Sequence, residues 1–163
     1  LNKINYFPKY PKKKKKKCNE ILFIGSPFVS NISLSQDKFT VYLSKDKFKK
    51  IMKILLKKNE QYYYYPHRSE IKELSLLPKN FRVIKRSSSV EKFIYNYKYN
   101  FKIIYSFGSS SICEIIHFYN KNKIRIIDIN EWFNYSNRDA FLKMKIIINY
   151  LRKLKLKIIK LKK

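Results

Sequence analysis

The chain has 163 residues, with 38 Lys+Arg against 11 Asp+Glu and a formal net charge of +27. That length suits one domain, at ~100–200 residues per domain, and leaves little room for a complete two-domain enzyme. Hydrophobic residues make up 45%, no run approaches the ~18 apolar residues of a transmembrane span, and the two cysteines have no CxxC spacing, which excludes wholesale disorder, a membrane-spanning helix and a disulfide-stapled fold.

Residues 1–19 are basic, interrupted by Pro8 and Pro11, and carry the homopolymer Lys12–Lys17; they read as a linker. Order is expected from Glu20 through Ile24, a short apolar strand closed by Gly25-Ser26-Pro27. Ser44 is placed to cap a helix through Phe48, Ile51, Met52 and Leu55, running to about Lys58. Tyr62–Tyr65 reads as a strand stopped by Pro66, and Phe81–Ile84 as another. Ser89 caps a helix with Phe93, Ile94 and Tyr97. Phe101–Tyr105 is a strand, Ser109–Ser111 open a helix through Ile112, Ile115 and Ile116, and Lys123–Ile129 is a strand again. From Arg138 to about Lys160 the pattern is one long basic helix. The alternation is that of an α/β fold, a parallel sheet covered by helices on both faces. The expected division is a linker over 1–19, a Rossmann-like domain over 20–137 and a basic C-terminal helix over 138–163.

The charge by itself points to a polyanion. However, Lys, Ile, Asn, Tyr and Phe fill 95 of 163 positions while Ala occurs once and Gly twice. These favoured residues have A/T-rich codons, so much of the charge reads as codon bias. Cys18, Cys113, His67 and His117 show no metal-ligand spacing, and no metal or other cofactor is expected. Unpaired thiols suit a reducing, cytoplasmic setting.

In parallel sheets, ligands bind beyond the carboxyl ends of the strands. Four such ends carry unusual residues: Gly25-Ser26-Pro27-Phe28, Pro66-His67-Arg68-Ser69-Glu70, Arg86-Ser87-Ser88-Ser89-Val90-Glu91 and Ser106-Phe107-Gly108-Ser109-Ser110-Ser111. Backbone N–H groups and hydroxyls at Ser109–Ser111 suit an anion, and Gly108 allows close approach. The same serines also serve simply as an N-cap. His67 and Arg68 add a titratable donor and a fixed cation, and Glu91 a carboxylate for ribose hydroxyls. Together they suit a nucleotide phosphate and its sugar.

These segments, in order and approximate spacing over residues 20–130, resemble the C-terminal half of bacterial sialyltransferases and polysialyltransferases, glycosyltransferase family 52 and its relatives. The most specific pieces are Tyr-Pro-His-Arg-x-Glu at residues 65–70 and the Ser-Ser start at 109–110. The resemblance implies the C-terminal nucleotide-binding domain of a GT-B fold. The implied donor is CMP-sialic acid, bound without metal, and the implied acceptor is a surface glycan of lipooligosaccharide or capsule. It assigns His67 to the departing phosphate, Ser109 and Ser110 to the same phosphate, Glu91 to the nucleotide, and Arg68, Gly25 and Pro27 to donor contacts. The family's acidic base lies in an N-terminal domain, so the chain is expected to be a fragment, inactive alone, whose missing half comes from that domain or a partner chain. The alternative is a basic RNA- or polyanion-binding module, such as a ribosomal protein, in which the Tyr run and Lys blocks stack on and neutralise nucleic acid.

In the expected C-terminal helix, Ile147, Leu151, Leu154, Ile158 and Leu161 fall on one stripe among lysines. That stripe either packs on the domain or lies on an anionic membrane, which makes peripheral attachment to the inner membrane the second expectation for location.

Overall fold

The structure, a computed structural model, describes residues 16–17, 19–26, 41–57, 60–67, 70, 74, 77–97, 99–135 and 138–162. Six strands form one all-parallel sheet: β1 (Ile21–Ile24), β2 (Tyr62–Tyr65), β3 (Phe81–Val83), β4 (Ile103–Ser106), β5 (Ile124–Asp128) and β6 (Lys157–Lys160). Their spatial order is β3-β2-β1-β4-β5-β6. This is the doubly wound order: the chain moves outward from β1 to β3, then returns to β4 and moves outward the other way. The helices are α1 (Lys45–Leu55), α2 (Val90–Asn96), α3 (Ile112–Ile115) and α4 (Arg138–Lys153). The expected α/β, Rossmann-like sheet flanked by helices is therefore present.

The alternation of side chains along each strand divides the core in two. Ile21, Phe23, Tyr62 and Tyr64 face α1 through Phe48, Ile51 and Met52. Leu22, Ile24, Tyr65, Ile104, Ile124 and Ile126 face α2, α3 and α4 through Val90, Ile94, Ile112, Ile115, Ile148 and Leu151. Ser44 and Ser89 cap α1 and α2, accepting from Lys47 N (3.4 Å) and Lys92 N (3.3 Å). Each cap satisfies an N–H that the first helical turn leaves open.

Four consecutive tyrosines are an unusual central strand, because each phenol must find a partner when buried. Tyr62 donates to Glu60 (2.9 Å) and accepts from Lys57 N (2.8 Å). Tyr63 donates to Glu20 (3.0 Å), Tyr64 to Glu70 (2.9 Å) and Tyr65 to the Ser88 carbonyl. Burial pushes the Tyr62 phenol up to about 12, so it remains a neutral donor.

Several boundaries differ from expectation. Of the linker, Lys16–Lys17 pairs in parallel with Tyr99–Asn100, backbone bonding that needs no apolar side chain. Val41–Tyr42 pairs antiparallel with Asn134–Tyr135. The helix after Ser109–Ser111 is a single turn, ending at Ile115.

The largest correction is at the C-terminus. Residues 138–163 are not one helix: α4 ends at Lys153, and β6 returns as an edge strand beside β5. The expected boundary at 137 therefore falls inside the sheet's own crossover. Lys155 takes a left-handed φ of 60°. Its N–H donates to the Arg152 carbonyl (2.9 Å) and Leu156 N–H reaches back to Leu151 (3.4 Å). That is a Schellman stop, and Leu151 and Leu156 share the same core cluster, as such stops usually require. The stripe of Ile147, Leu151, Leu154, Ile158 and Leu161 is thus divided between a helix and a strand. Among the described residues, no helix is long and apolar enough to cross a membrane.

A Lys at this left-handed position is strained where Gly would not be, by ~1–2 kcal/mol before Gly's larger unfolded-state entropy is subtracted. Lys155→Gly should therefore raise stability by up to about 1 kcal/mol, read as a higher urea midpoint at unchanged slope. A loss of stability would contradict the Schellman assignment.

Candidate functional site

The parallel registers bring β1, β2 and β4 to a common level at Ile24, Tyr65 and Ser106. β1 and β4 are neighbours although the chain runs away from them in opposite directions, which opens a crevice beyond their ends. A cleft of about 280 Å³ occupies this place. Gly25 follows β1 into it, Pro66 and His67 follow β2, Arg86, Ser89 and Glu91 come from the approach to α2 and its first turn, and Ser109, Ser110 and Ser111 follow β4. The structure therefore gathers His67, Glu91, Ser109, Ser110 and Gly25 in one cleft. Arg68 and Pro27, the other two expected contacts, lie outside the described residues.

The frame of this cleft is a carboxylate whose role sequence spacing does not announce. Glu70 is 3% exposed. Its Oε1 accepts from Ser26 N (3.2 Å) and the Tyr64 hydroxyl (2.9 Å), and its Oε2 from His67 N (2.7 Å). One buried side chain thus ties the loop after β1 to the loop after β2 and fixes the backbone from which His67 projects. Gly25 is required by the same arrangement: a Cβ there would overlap Glu70 Oε2 and lie 2.9 Å from the Tyr64 hydroxyl and 3.0 Å from His67 N.

On the β4 side the constraint is conformational. Gly108 has φ +94°, and a Cβ would meet only Ile147 and Ile148 of α4 at ordinary contact distances of 3.7 and 3.8 Å. Ser106, fully buried, accepts from Ser109 N (3.0 Å) and closes the turn. Because α3 is one turn long, its dipole adds little at Ser109–Ser111. What those residues supply is the N–H groups and hydroxyls of Ser110 and Ser111, which have no protein partner among the described residues.

The two polar walls differ in sign. Glu91 is 8% exposed, and its carboxylate has no partner among the described residues. Arg86 is exposed and makes no ion pair among them. It lay on a strand end already singled out, but sequence spacing gave it no partner. A cation and serine donors beside an open buried acceptor suit a ligand with an anionic group and a hydroxylated or amino-bearing body. Burial pushes the Cys113 thiol up, which disfavours its thiolate. Among the described residues no cluster of His, Cys, Asp and Glu could hold a metal ion.

No family model, curated protein or solved structure matches this chain.

Glu70→Gln would turn an amide N–H toward a backbone donor and should cost about 1–3 kcal/mol. Gly25→Ala should cost a similar ~1–3 kcal/mol by displacing the carboxylate. The double variant should cost less than the sum of the two, because both break the same contact. Additive losses in a urea-denaturation cycle would mean the two residues act separately.

Proposed function

We propose that the chain is the donor-binding half of a sialyltransferase-like glycosyltransferase, the C-terminal domain of a GT-B arrangement that takes CMP-sialic acid. The observation that carries this reading is the convergence of His67, Glu91, Ser109 and Ser110 with Arg86 in one cleft at the sheet's switch point. In this reading the phosphate lies against Ser109–Ser111 and Arg86, and the ribose hydroxyls donate to Glu91. The cleft's 280 Å³ falls just under the ~300–1,000 Å³ of closed ligand pockets, as suits a half-site that a second domain would cover.

The reaction is an inverting transfer. The bond between the sialyl anomeric carbon and the phosphate oxygen breaks, and a bond to the acceptor hydroxyl oxygen forms on the opposite face. His67 donates a hydrogen bond or proton to the departing phosphate. The acceptor's proton goes to a carboxylate outside this chain, so the 163 residues alone bind donor and do not transfer.

CMP should stabilise the purified chain against heat. At a hundredfold excess over Kd the linkage is about 2.7 kcal/mol, a rise of roughly 5–11 °C for a domain of this size. His67→Ala and Glu91→Gln should each weaken CMP binding about tenfold or more, the loss of one charge-assisted contact. The reading fails if CMP gives no shift at millimolar concentration or if His67→Ala leaves the shift intact. Salt-sensitive RNA binding that ignores His67→Ala would favour the polyanion module instead.

A further inference from the structure

We propose that the outward face of α4 is a docking surface for an anionic lipid bilayer. The proposal stands on α4 alone and does not depend on the donor reading.

The core face of α4 is Met144, Ile148 and Leu151, which are 7%, 3% and 1% exposed. At 100° per residue, the side opposite that face is occupied by Leu142, Ile146 and Tyr150, four residues apart. These are 42%, 66% and 51% exposed, and Ile147 beside them is 39% exposed. A helix covering a soluble domain carries polar residues on this side. Here it carries three large apolar ones, including the most exposed of the chain's exposed large hydrophobic side chains among the described residues. The surface is different from the stripe expected from sequence, whose Leu151 and Leu161 are buried in the domain.

Charge decides the occupant. Lys145, Arg152 and Lys153 are exposed beside the apolar residues, and Asp139 is the one acidic residue of α4. The concavity along Ile146, Asn149, Tyr150, Arg152 and Lys153 is lined, among the described residues, by α4 alone. Among the described residues, no second element there makes a groove for a partner's side chains. A second copy would bring two chains of +27 together along a face rimmed with cations. An anionic bilayer supplies what both observations ask for: an apolar layer for Leu142, Ile146 and Tyr150, and head groups for long cations that keep their charge at the interface.

The test uses the full chain and sedimentation with vesicles of phosphatidylserine in phosphatidylcholine, against phosphatidylcholine alone. Binding is expected only to the anionic vesicles and should fall as salt rises. Ile146→Ser with Tyr150→Ser should lower partitioning about tenfold or more, as should Lys145→Gln with Arg152→Gln. All four sites are on the surface, so melting temperature and any CMP protection should stay unchanged. Tyr150→Trp should show a blue-shifted emission on anionic vesicles, against the buried Trp132 as a constant background. Any of three results overturns the proposal: no vesicle binding, binding that survives the Ile146/Tyr150 double variant, or a soluble dimer or protein complex that the double variant abolishes.

Discussion

The arrangement of the cleft depends on one buried carboxylate. Among the described residues, Glu70 accepts from Ser26 N, His67 N and the Tyr64 hydroxyl, and in doing so joins the ends of two neighbouring strands. A buried polar group is costly unless its oxygens are satisfied, and a satisfied one resists any shift of its donors. The loop after β1 therefore cannot move without the loop after β2. His67, which lines the cleft, is held through its backbone by a residue that does not line it. Gly25 is a consequence of the same contact, because the carboxylate takes up the space of its missing side chain.

The chain has two glycines, and they follow β1 and β4, the two strands at the switch point. They are needed for different reasons. Gly25 makes space, and Gly108 supplies a positive φ. Elsewhere the chain forms its turns without glycine, even at Lys155, where the left-handed conformation carries a Cβ. A composition poor in glycine can be tolerated in a helix stop, where the strain is small and local. It is not tolerated where backbone must approach another element's polar group or turn sharply at the cleft's rim. The placement of the two glycines thus marks the same rim that the hydrogen bonds mark.

Much of the fold could be read from sequence because each element repeats a local rule. Ser44 and Ser89 are caps with an apolar period after them, and β1 and β5 are short apolar runs bounded by turns. The C-terminus was misread because its apolar residues, spaced four, three, four and three apart, satisfy a helical period across a break that no Gly or Pro announces. The stop at Lys155 depends on carbonyls of the preceding turn and on Leu156 meeting Leu151, which are packing facts and not residue preferences. The site divides in the same way. His67, Glu91, Ser109, Ser110 and Gly25 were found by their positions just after strands. Glu70 and Arg86 were present in the quoted segments but acquired roles only when the sheet order brought separate loops together.

The same geometry changes the meaning of the charge. The chain carries 32 lysines. Among the described residues lining the cleft there is no lysine, and the cation there is Arg86. Codon bias that scatters lysine over a surface would be expected to place some at any exposed rim. A surface built to neutralise a polyanion would concentrate them there. Among the described residues, a lining of one planar, hydrogen-bonding cation, an open carboxylate and serine donors fits neither pattern. A guanidinium presents a fixed fork and an ammonium does not, so a cation of this kind can hold an anion by direction as well as by charge. Among the described residues, lysines and arginines lie on surfaces such as α4, beside exposed apolar residues. The net charge therefore says little about the cleft, whose chemistry has to be read from its few polar groups.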